Sequence, residues 1–367
     1  MIFIVGSGLI GLSIGFKLLN NGFKVTIFNH SDSRESTLSA VGMLAPLIEA
    51  KPSEEELFTL LELSRKKWET YSLELMKYSN VDFNYKKTSA LMIANNFDDL
   101  QKLRFKEKFY SKLGKNIDFL DRNETLKLEP NLMDNVQGSL YFKSHDQVNP
   151  KNLKLNLVDC FMGNGGKIIN KKIEKLISKN GKVGVICENE KIFSDKVILS
   201  AGAWSQKILK HSFLLEISSK PFKGVSLNLV CREKQKIFHN LWFRNIYIAP
   251  RNDNEIMVGA TEEEKGYKSE VNVDEAFFLI KNLKESLPFT DELQIKSFNS
   301  GLRPGSYDGL PILGTLDNVS KDIICAFGHY RHGVLLAPLT AELVYDLIMG
   351  KEIYNYLSPV RFKEKPL

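Results

Sequence analysis

The chain has 367 residues, 43% of them apolar and 26% charged, which is long enough to bury a core in two intertwined domains and too apolar for a disordered chain. Its formal charge of +6 is spread along the sequence rather than gathered in blocks, so it reads as solvated surface and argues against a nucleic-acid partner. Cys160, Cys187, Cys231 and Cys325 lie far apart without CxxC or Cys/His spacing; no metal site is expected, and a reducing cytoplasm suits them best.

The elements follow in chain order. Ile2 to Val5 is an apolar run that passes straight into Gly6-Ser7-Gly8, which marks a strand rather than a secretion signal. A helix to about Asn20, a turn at Asn21-Gly22 and a strand from Lys24 to Phe28 complete a βαβ unit. Ser53-Glu54-Glu55-Glu56 has the pattern of a capping box and opens a helix to about Tyr78. Residues 80 to 145 alternate short apolar runs with lysine-rich helical ones. Asn149-Pro150 opens a further helix that stops at Gly163-Asn164-Gly165-Gly166. Hairpin-like segments lead to the apolar strand Lys196 to Ser200 and the turn Ala201-Gly202-Ala203-Trp204. From about 215 to 303 the pattern is mostly period-two, with one helix near Val273 to Ser286. The last helix is expected to start near Pro338, with Gly350 just past its end. The apolar stretch Gly333 to Met349 is broken by Glu342 and Asp346, so no membrane span is expected.

This order implies an α/β fold: a Rossmann-like nucleotide-binding domain with an inserted mixed or antiparallel-sheet α+β domain. The first is expected over 1–80, 145–215 and 300–367, the second over 81–144 and 216–299.

Gly6-x-Gly8-x-x-Gly11 sits between a predicted strand and helix, the context that turns a weak pattern into a dinucleotide site. Gly6 permits the tight turn, Gly8 lets backbone approach a pyrophosphate, and Gly11 lets helix and strand pack closely, with Leu9 and Ile10 in the first helical turn. The helix N-terminus supplies positive potential to the diphosphate. At the end of the second strand an Asp or Glu normally holds the ribose hydroxyls, but this chain has Asn29, which keeps an acceptor and loses its charge. His30 or Ser31 is the alternative ribose partner.

Four blocks carry a resemblance. They are Ser39-Ala40-Val41-Gly42-Met43-Leu44-Ala45-Pro46; Ala201-Gly202-Ala203-Trp204; Gly301-Leu302-Arg303-Pro304-Gly305 with Asp308-Gly309-Leu310-Pro311-Ile312-Leu313-Gly314; and Gly328-His329-Tyr330-Arg331 with Gly333 and Leu335-Leu336-Ala337-Pro338. In order and spacing the chain resembles the D-amino-acid oxidase superfamily of FAD-dependent oxidoreductases, and within it the glycine oxidases of thiamine biosynthesis. The resemblance implies FAD as cofactor, with Ser36, Thr37, Val41, Gly42 and Met43 against the flavin and its phosphates and Ile173 at the adenine through its backbone. Gly202 and Gly328 join the cofactor set, and His329, Tyr330, Arg331, His332, Gly333, Val334 and Leu335 would border the pyrimidine edge. Tyr247, Arg303 and Arg331 would face the substrate. Sarcosine oxidases attach their flavin through a cysteine near this last region; residues 296–315 hold none, so the FAD is expected to be non-covalent.

Elementary chemistry supports some of these roles and leaves others open. Arg303 beside Pro304-Gly305 is suited to bidentate capture of a carboxylate. Tyr247 lies in the alternating strand Ile246 to Pro250, where a core tyrosine with a satisfied hydroxyl fits the pattern nearly as well as a substrate contact. His329 and Arg331 could brace their loop instead of touching substrate. Glu262 and Asn245 depart from the family pattern and leave the choice among small amines open.

The implied reaction is hydride transfer from the α-carbon of glycine or a similar small amine or amino acid to the flavin, with O₂ reduced to peroxide. The imine would become glyoxylate and ammonia or pass to a thiazole synthase partner, and a homo-oligomer is expected. Sarcosine, proline-like or D-amino-acid oxidation, electron delivery to a quinone, and a flavin-dependent tRNA-modification module are the rival readings.

Overall fold

The computed structural model describes residues 1–30, 34–232, 235–251 and 254–362. Ile2–Val5 lies near the middle of a six-stranded sheet, and all four residues are buried, as an apolar run needs when both faces are covered. In spatial order the strands are Ile312–Leu316, Ser320–Phe327, Lys196–Leu199, Ile2–Val5, Val25–Asn29 and Lys167–Asn170. The last five run parallel, and Ile312–Leu316 pairs antiparallel at the edge. Alternation of side chains divides the first strand between two cores: Ile2 and Ile4 join one, Phe3 and Val5 the other.

On the first face the helix Leu9–Leu19 packs against the helices Pro150–Gly163 and Gly333–Ile348. The opposite core includes Val183, Val185 and Leu176 from a three-stranded antiparallel sheet of Lys175–Lys179, Lys182–Cys187 and Glu190–Ser194.

A second sheet has eight strands in the order Gln294–Ser306, Ser219–Val230, Glu255–Gly259, Tyr247–Pro250, Asn240–Trp242, Ala90–Ala94, Gly138–Phe142 and Asp118–Asp121. It is antiparallel except where Asn240–Trp242 pairs parallel with Ala90–Ala94. Its two longest strands pair from Ser219 with Ser306 to Val230 with Gln294, so one continuous strand crosses residue 300, where the sequence suggested a boundary. Among the described residues no helix is long and apolar enough to cross a membrane, and no cluster of His, Cys, Asp or Glu is fit to hold a metal.

Two helix starts differ from the sequence reading. Ser53 does not cap: its backbone is left-handed (φ 65°), its hydroxyl bonds the Pro52 carbonyl, and the helix runs Glu55–Leu75 with Glu54 as its first flanking residue. The last helix begins at Gly333, five residues before Pro338, which therefore lies inside it. A proline within a helix removes a donor and disturbs the bonds of the preceding turn. The carbonyl next to the one that Pro338 leaves without its amide, that of Leu335, accepts from the Trp68 indole N–H (2.9 Å) and the Ser64 hydroxyl (2.6 Å), both on the long helix Glu55–Leu75. By contrast Asn149 caps Pro150–Gly163 by accepting from the Lys151 and Asn152 amides, and Asn272 with Glu275 forms a capping box on Val273–Lys284.

Ser64→Ala alone should lower the unfolding free energy by about 1 kcal/mol, since the indole still serves the carbonyl. Combining it with Trp68→Phe removes both donors from a buried carbonyl, and the pair should cost about 1–3 kcal/mol more than the single change, measured by urea unfolding followed by circular dichroism.

Candidate functional site

A cleft of about 590 Å³ runs from the turn after the first strand to the edge of the eight-stranded sheet. At its first end Gly6 has φ +113°, a conformation that disfavours a side chain, and a Cβ there would lie 2.5 Å from the Ser200 carbonyl oxygen. A Cβ on Gly11 would lie 2.0 Å from the Gly6 carbonyl oxygen, so Gly11 packs helix on turn and lies behind the cleft. Gly8 has open space where a Cβ would go, and with Leu9 and Ile10 it lines the cleft at the helix N-terminus. Such an end, with unpaired amides and a positive dipole, suits a diphosphate.

Asn29 and His30 line the same end. The Asn29 side chain accepts from the Ser7 hydroxyl and donates to Asn170 Oδ1 (2.9 Å), so it is held against the wall by both neighbours. Ser31 lies outside the described residues. Ile173 and Gly202 flank this part, with Gly202 again open where a side chain would go. Ser36, Thr37, Val41, Gly42 and Met43 line the middle; the first two form a short 3₁₀ turn, Ser36–Leu38, and Gly42 turns with φ +78°. Glycines that leave space at Gly8 and Gly202, a helix end and an elongated cleft fit an extended dinucleotide. These residues, together with the start of the helix Gly333–Ile348, are those that could hold such a cofactor.

At the far end Tyr247 pairs across the sheet with Gly259, and its ring occupies the space that a Gly259 side chain would fill, 2.4 Å from an ideal Cβ. Its hydroxyl makes no hydrogen bond with a described residue, and burial pushes its pKa up despite Arg303 and Arg331 nearby. The Arg303 guanidinium passes over Gly224, where a Cβ would come within 2.2 Å of Nη2, and Nη1 donates to the Thr261 carbonyl (3.0 Å). No described carboxylate pairs with it. Tyr247, Arg303 and Arg331 all line the cleft.

Arg331 does have such a partner, since its Nε lies 2.8 Å from Glu49 Oε2. Burial alone would raise the Glu49 pKa, but Arg331 and then His332 outweigh it and hold the carboxylate below its ordinary value. Glu49 in turn holds the Arg331 pKa up. Burial drives His329 down to about 3 and His332 to about 4, so both rings are neutral at pH 7. His329 Nε2 bonds the Thr340 hydroxyl (2.9 Å), which braces the loop on the last helix while the residue still borders the cleft. Tyr330, Gly333 and Val334 also line it, and burial followed by the nearby Glu262 carboxylate raises the Tyr330 pKa.

Three further residues assigned to the cofactor lie one layer back. Gly328 packs on Ile312, His332 sits on Glu49, and the Leu335 carbonyl faces Trp68 and Ser64. Asn245 is exposed and bonds Asn282 Oδ1 (2.8 Å), away from the cleft, whereas Glu262 is at its mouth. The sequence reading missed Glu49, three residues past the quoted Ser39 to Pro46 block. It also missed the Thr261 carbonyl, which no side-chain signal reveals, and Trp204 with Arg34 over its ring (5.4 Å) on the wall.

Residues 1–347 match the family described as FAD dependent oxidoreductase. The chain is similar to glycine oxidase of Bacillus subtilis, 26% identical over 365 residues covering 99% of this chain and 96% of that one. It is also similar to the bifunctional protein ThiO/ThiG of Trichormus variabilis, 29% identical over 362 residues; the match covers 97% of this chain and about half, 54%, of the relative. Among solved structures, glycine oxidase from Geobacillus kaustophilus superposes with a TM-score of 0.92 at 25% identity, covering 99% of both chains.

Gly8→Val should fold, because the added side chain meets only the cleft, yet lose most of its yellow colour; flavin absorbance per mole of protein, beside unchanged far-ultraviolet circular dichroism, measures this. The Glu49 carboxylate supplies a pH dependence. Because it holds its proton less tightly folded than unfolded, its contribution is complete above the unfolded value of about 4.3 and is lost as the pH falls through the lower folded value. The stability gap between the protein and Glu49→Gln, measured by urea unfolding, should therefore close on acidification below about pH 4.3.

Proposed function

Because the chain belongs to the FAD dependent oxidoreductase family, we propose that it oxidises glycine, or a small amino acid close to it, to the imine, with O₂ as electron acceptor and hydrogen peroxide as product. When bound, FAD supplies the two-electron oxidation of the carbon–nitrogen bond. The chain's own residues bind and aim the substrate. The observation that carries the reading is Arg303: a guanidinium without a carboxylate partner among the described residues, held by the Thr261 carbonyl near Tyr247, in the cleft that also runs to the Gly8 turn. A fork of this kind takes a carboxylate in two parallel bonds, and the Tyr247 hydroxyl adds a third donor. That arrangement fixes the α-carbon and lowers the entropic part of the barrier.

Of the two carboxylates nearby, Glu49 is already engaged by Arg331 and Glu262 stands exposed at the mouth of the cleft, so the reading assigns neither as a general base. The amine therefore reacts in its neutral form, and the neutral His329 and His332 add no charge against it. The amino end of the helix Gly333–Ile348 has no acid in its first turn and directs positive potential into the cleft.

The imine hydrolyses to glyoxylate and ammonia or passes to a thiazole-forming partner, a reading that the ThiO/ThiG relatives support. A homo-oligomer belongs to the same proposal and is measured by light scattering. Oxygen uptake and peroxide yield over glycine, sarcosine, D-alanine and a simple alkylamine test the reaction; no peroxide with any of them removes it. Arg303→Ala should raise KM for glycine about 10- to 100-fold, as loss of a charge-assisted pair requires, and leave the alkylamine nearly unaffected. Equal loss on both classes would mean that Arg303 does not bind the carboxylate.

A further inference from the structure

The substrate end holds two guanidinium groups, and a pocket with both of them free would accept two carboxylates. Arg303 and Arg331 each act electrostatically on Tyr247 and on Tyr330, which places them around the same space. Their surroundings differ. Arg303 donates to a neutral carbonyl, whereas the Arg331 guanidinium is paired with Glu49 at 2.8 Å. Glu49 ends the one-turn helix Pro46–Glu49, which the buried Pro46 and Ile48 anchor. Its side chain is only 14% exposed, against 32% for Arg331. With Glu262 at the mouth, two guanidinium groups and two carboxylates line this end among the described residues, while Lys106, near Glu49 and Arg331, and Arg251, near Tyr247, are not among the lining residues.

We infer that Glu49 is a specificity-determining residue: by occupying Arg331 it confines the site to amines carrying one carboxylate and turns away dicarboxylic ones. This rests on the proposed reaction and deepens it. A ligand with one carboxylate meets Arg303 and leaves the Glu49–Arg331 pair intact. A second carboxylate meets at Arg331 a charge that Glu49 already offsets through Nε, and taking that Nε by displacing Glu49 leaves a largely buried negative charge with only His332, at 3.5 Å, in ion-pair distance among the described residues. Elsewhere at this end it faces Glu262. Glu49 touches the substrate's neighbour rather than the substrate, and its effect is on which ligands bind.

Two simple anions test this without turnover. Acetate and malonate, with one and two carboxylates, are titrated into the FAD-loaded protein, and binding is read from the perturbed visible absorption of the flavin. The unmodified protein should bind acetate at least as tightly as malonate; malonate tighter by about tenfold would overturn the inference before any variant is made. In Glu49→Gln, which keeps shape and removes charge, malonate should tighten about tenfold or more while acetate changes by less than about threefold. Adding Arg331→Leu to Glu49→Gln should abolish that gain. Malonate binding unchanged in Glu49→Gln, or acetate tightening in parallel with malonate, would show that the carboxylate does not select by occupying Arg331. Oxygen uptake with glycine against N-carboxymethylglycine separates the two levels. Anion selectivity that behaves as expected beside no oxidation of glycine would sink the proposed reaction and leave the role of Glu49 standing, and the converse outcome would do the reverse.

Discussion

Where the first strand turns into the first helix, three backbones meet with no room for a side-chain carbon between them. A Cβ on Gly11 would lie 2.0 Å from the Gly6 carbonyl oxygen and 2.6 Å from the Ser200 hydroxyl, and one on Gly6 would lie 2.5 Å from the Ser200 carbonyl oxygen. This contact sets the angle at which the helix Leu9–Leu19 leaves the sheet and so points its amino end into the cleft. It also ties Ile2–Val5 to Lys196–Leu199, its neighbour in the sheet. The cleft exists because Gly8, two residues along, has nothing opposite it.

At the far end most of the lining groups that could compete with a ligand are tied to a neighbour. Arg331 has Glu49, His329 has Thr340, and burial keeps both histidines neutral. Among the described residues Arg303 has only a carbonyl. Its strand, Gln294–Ser306, starts in the outer sheet and ends where Gly305 bridges to His329, so the guanidinium is aimed by the same segment that joins the two sheets. Elsewhere a buried pair of Lys223 with Glu275 fastens the cap of the helix Val273–Lys284 to the strand Ser219–Val230. The partners of charged groups here hold geometry in place more than they add net stability.

Much of this was legible in the chain because it depends on backbone. Continuous apolar runs such as Ile2 to Val5 and Lys196 to Ser200 announce strands covered on both faces, and Asn149-Pro150 announces a helix start that the structure shows at Pro150. Where the reading failed, a tertiary contact replaced a local rule. Pro338 signals a helix start when considered alone, but Trp68 and Ser64, some 270 residues earlier in the chain, fasten the turn before it through the Leu335 carbonyl. Ser53 has the sequence of a cap, yet its left-handed backbone turns the hydroxyl elsewhere. At the site, glycines and the arginine blocks carried position in their spacing. Glu49 did not, since an acid in a short helix is ordinary until the fold sets Arg331 beside it. Asn245 shows the opposite error, a departure from pattern that faces Asn282 instead of the cleft.

The two sheets are laced together along the chain, and this bears on the order in which a newly made polypeptide can acquire its shape. Ile2–Val5 can find Val25–Asn29 early, but its flank beyond Lys196–Leu199 is filled by Ser320–Phe327, and the helix that covers the first helix is Gly333–Ile348. The outer sheet likewise waits for Gln294–Ser306 to close its edge. Pairings between such distant stretches are slow to form and leave apolar strand faces uncovered in the interval. The turn at Gly6 thus finds its complete surroundings only once Lys196–Leu199, Ser320–Phe327 and Gly333–Ile348 are in place.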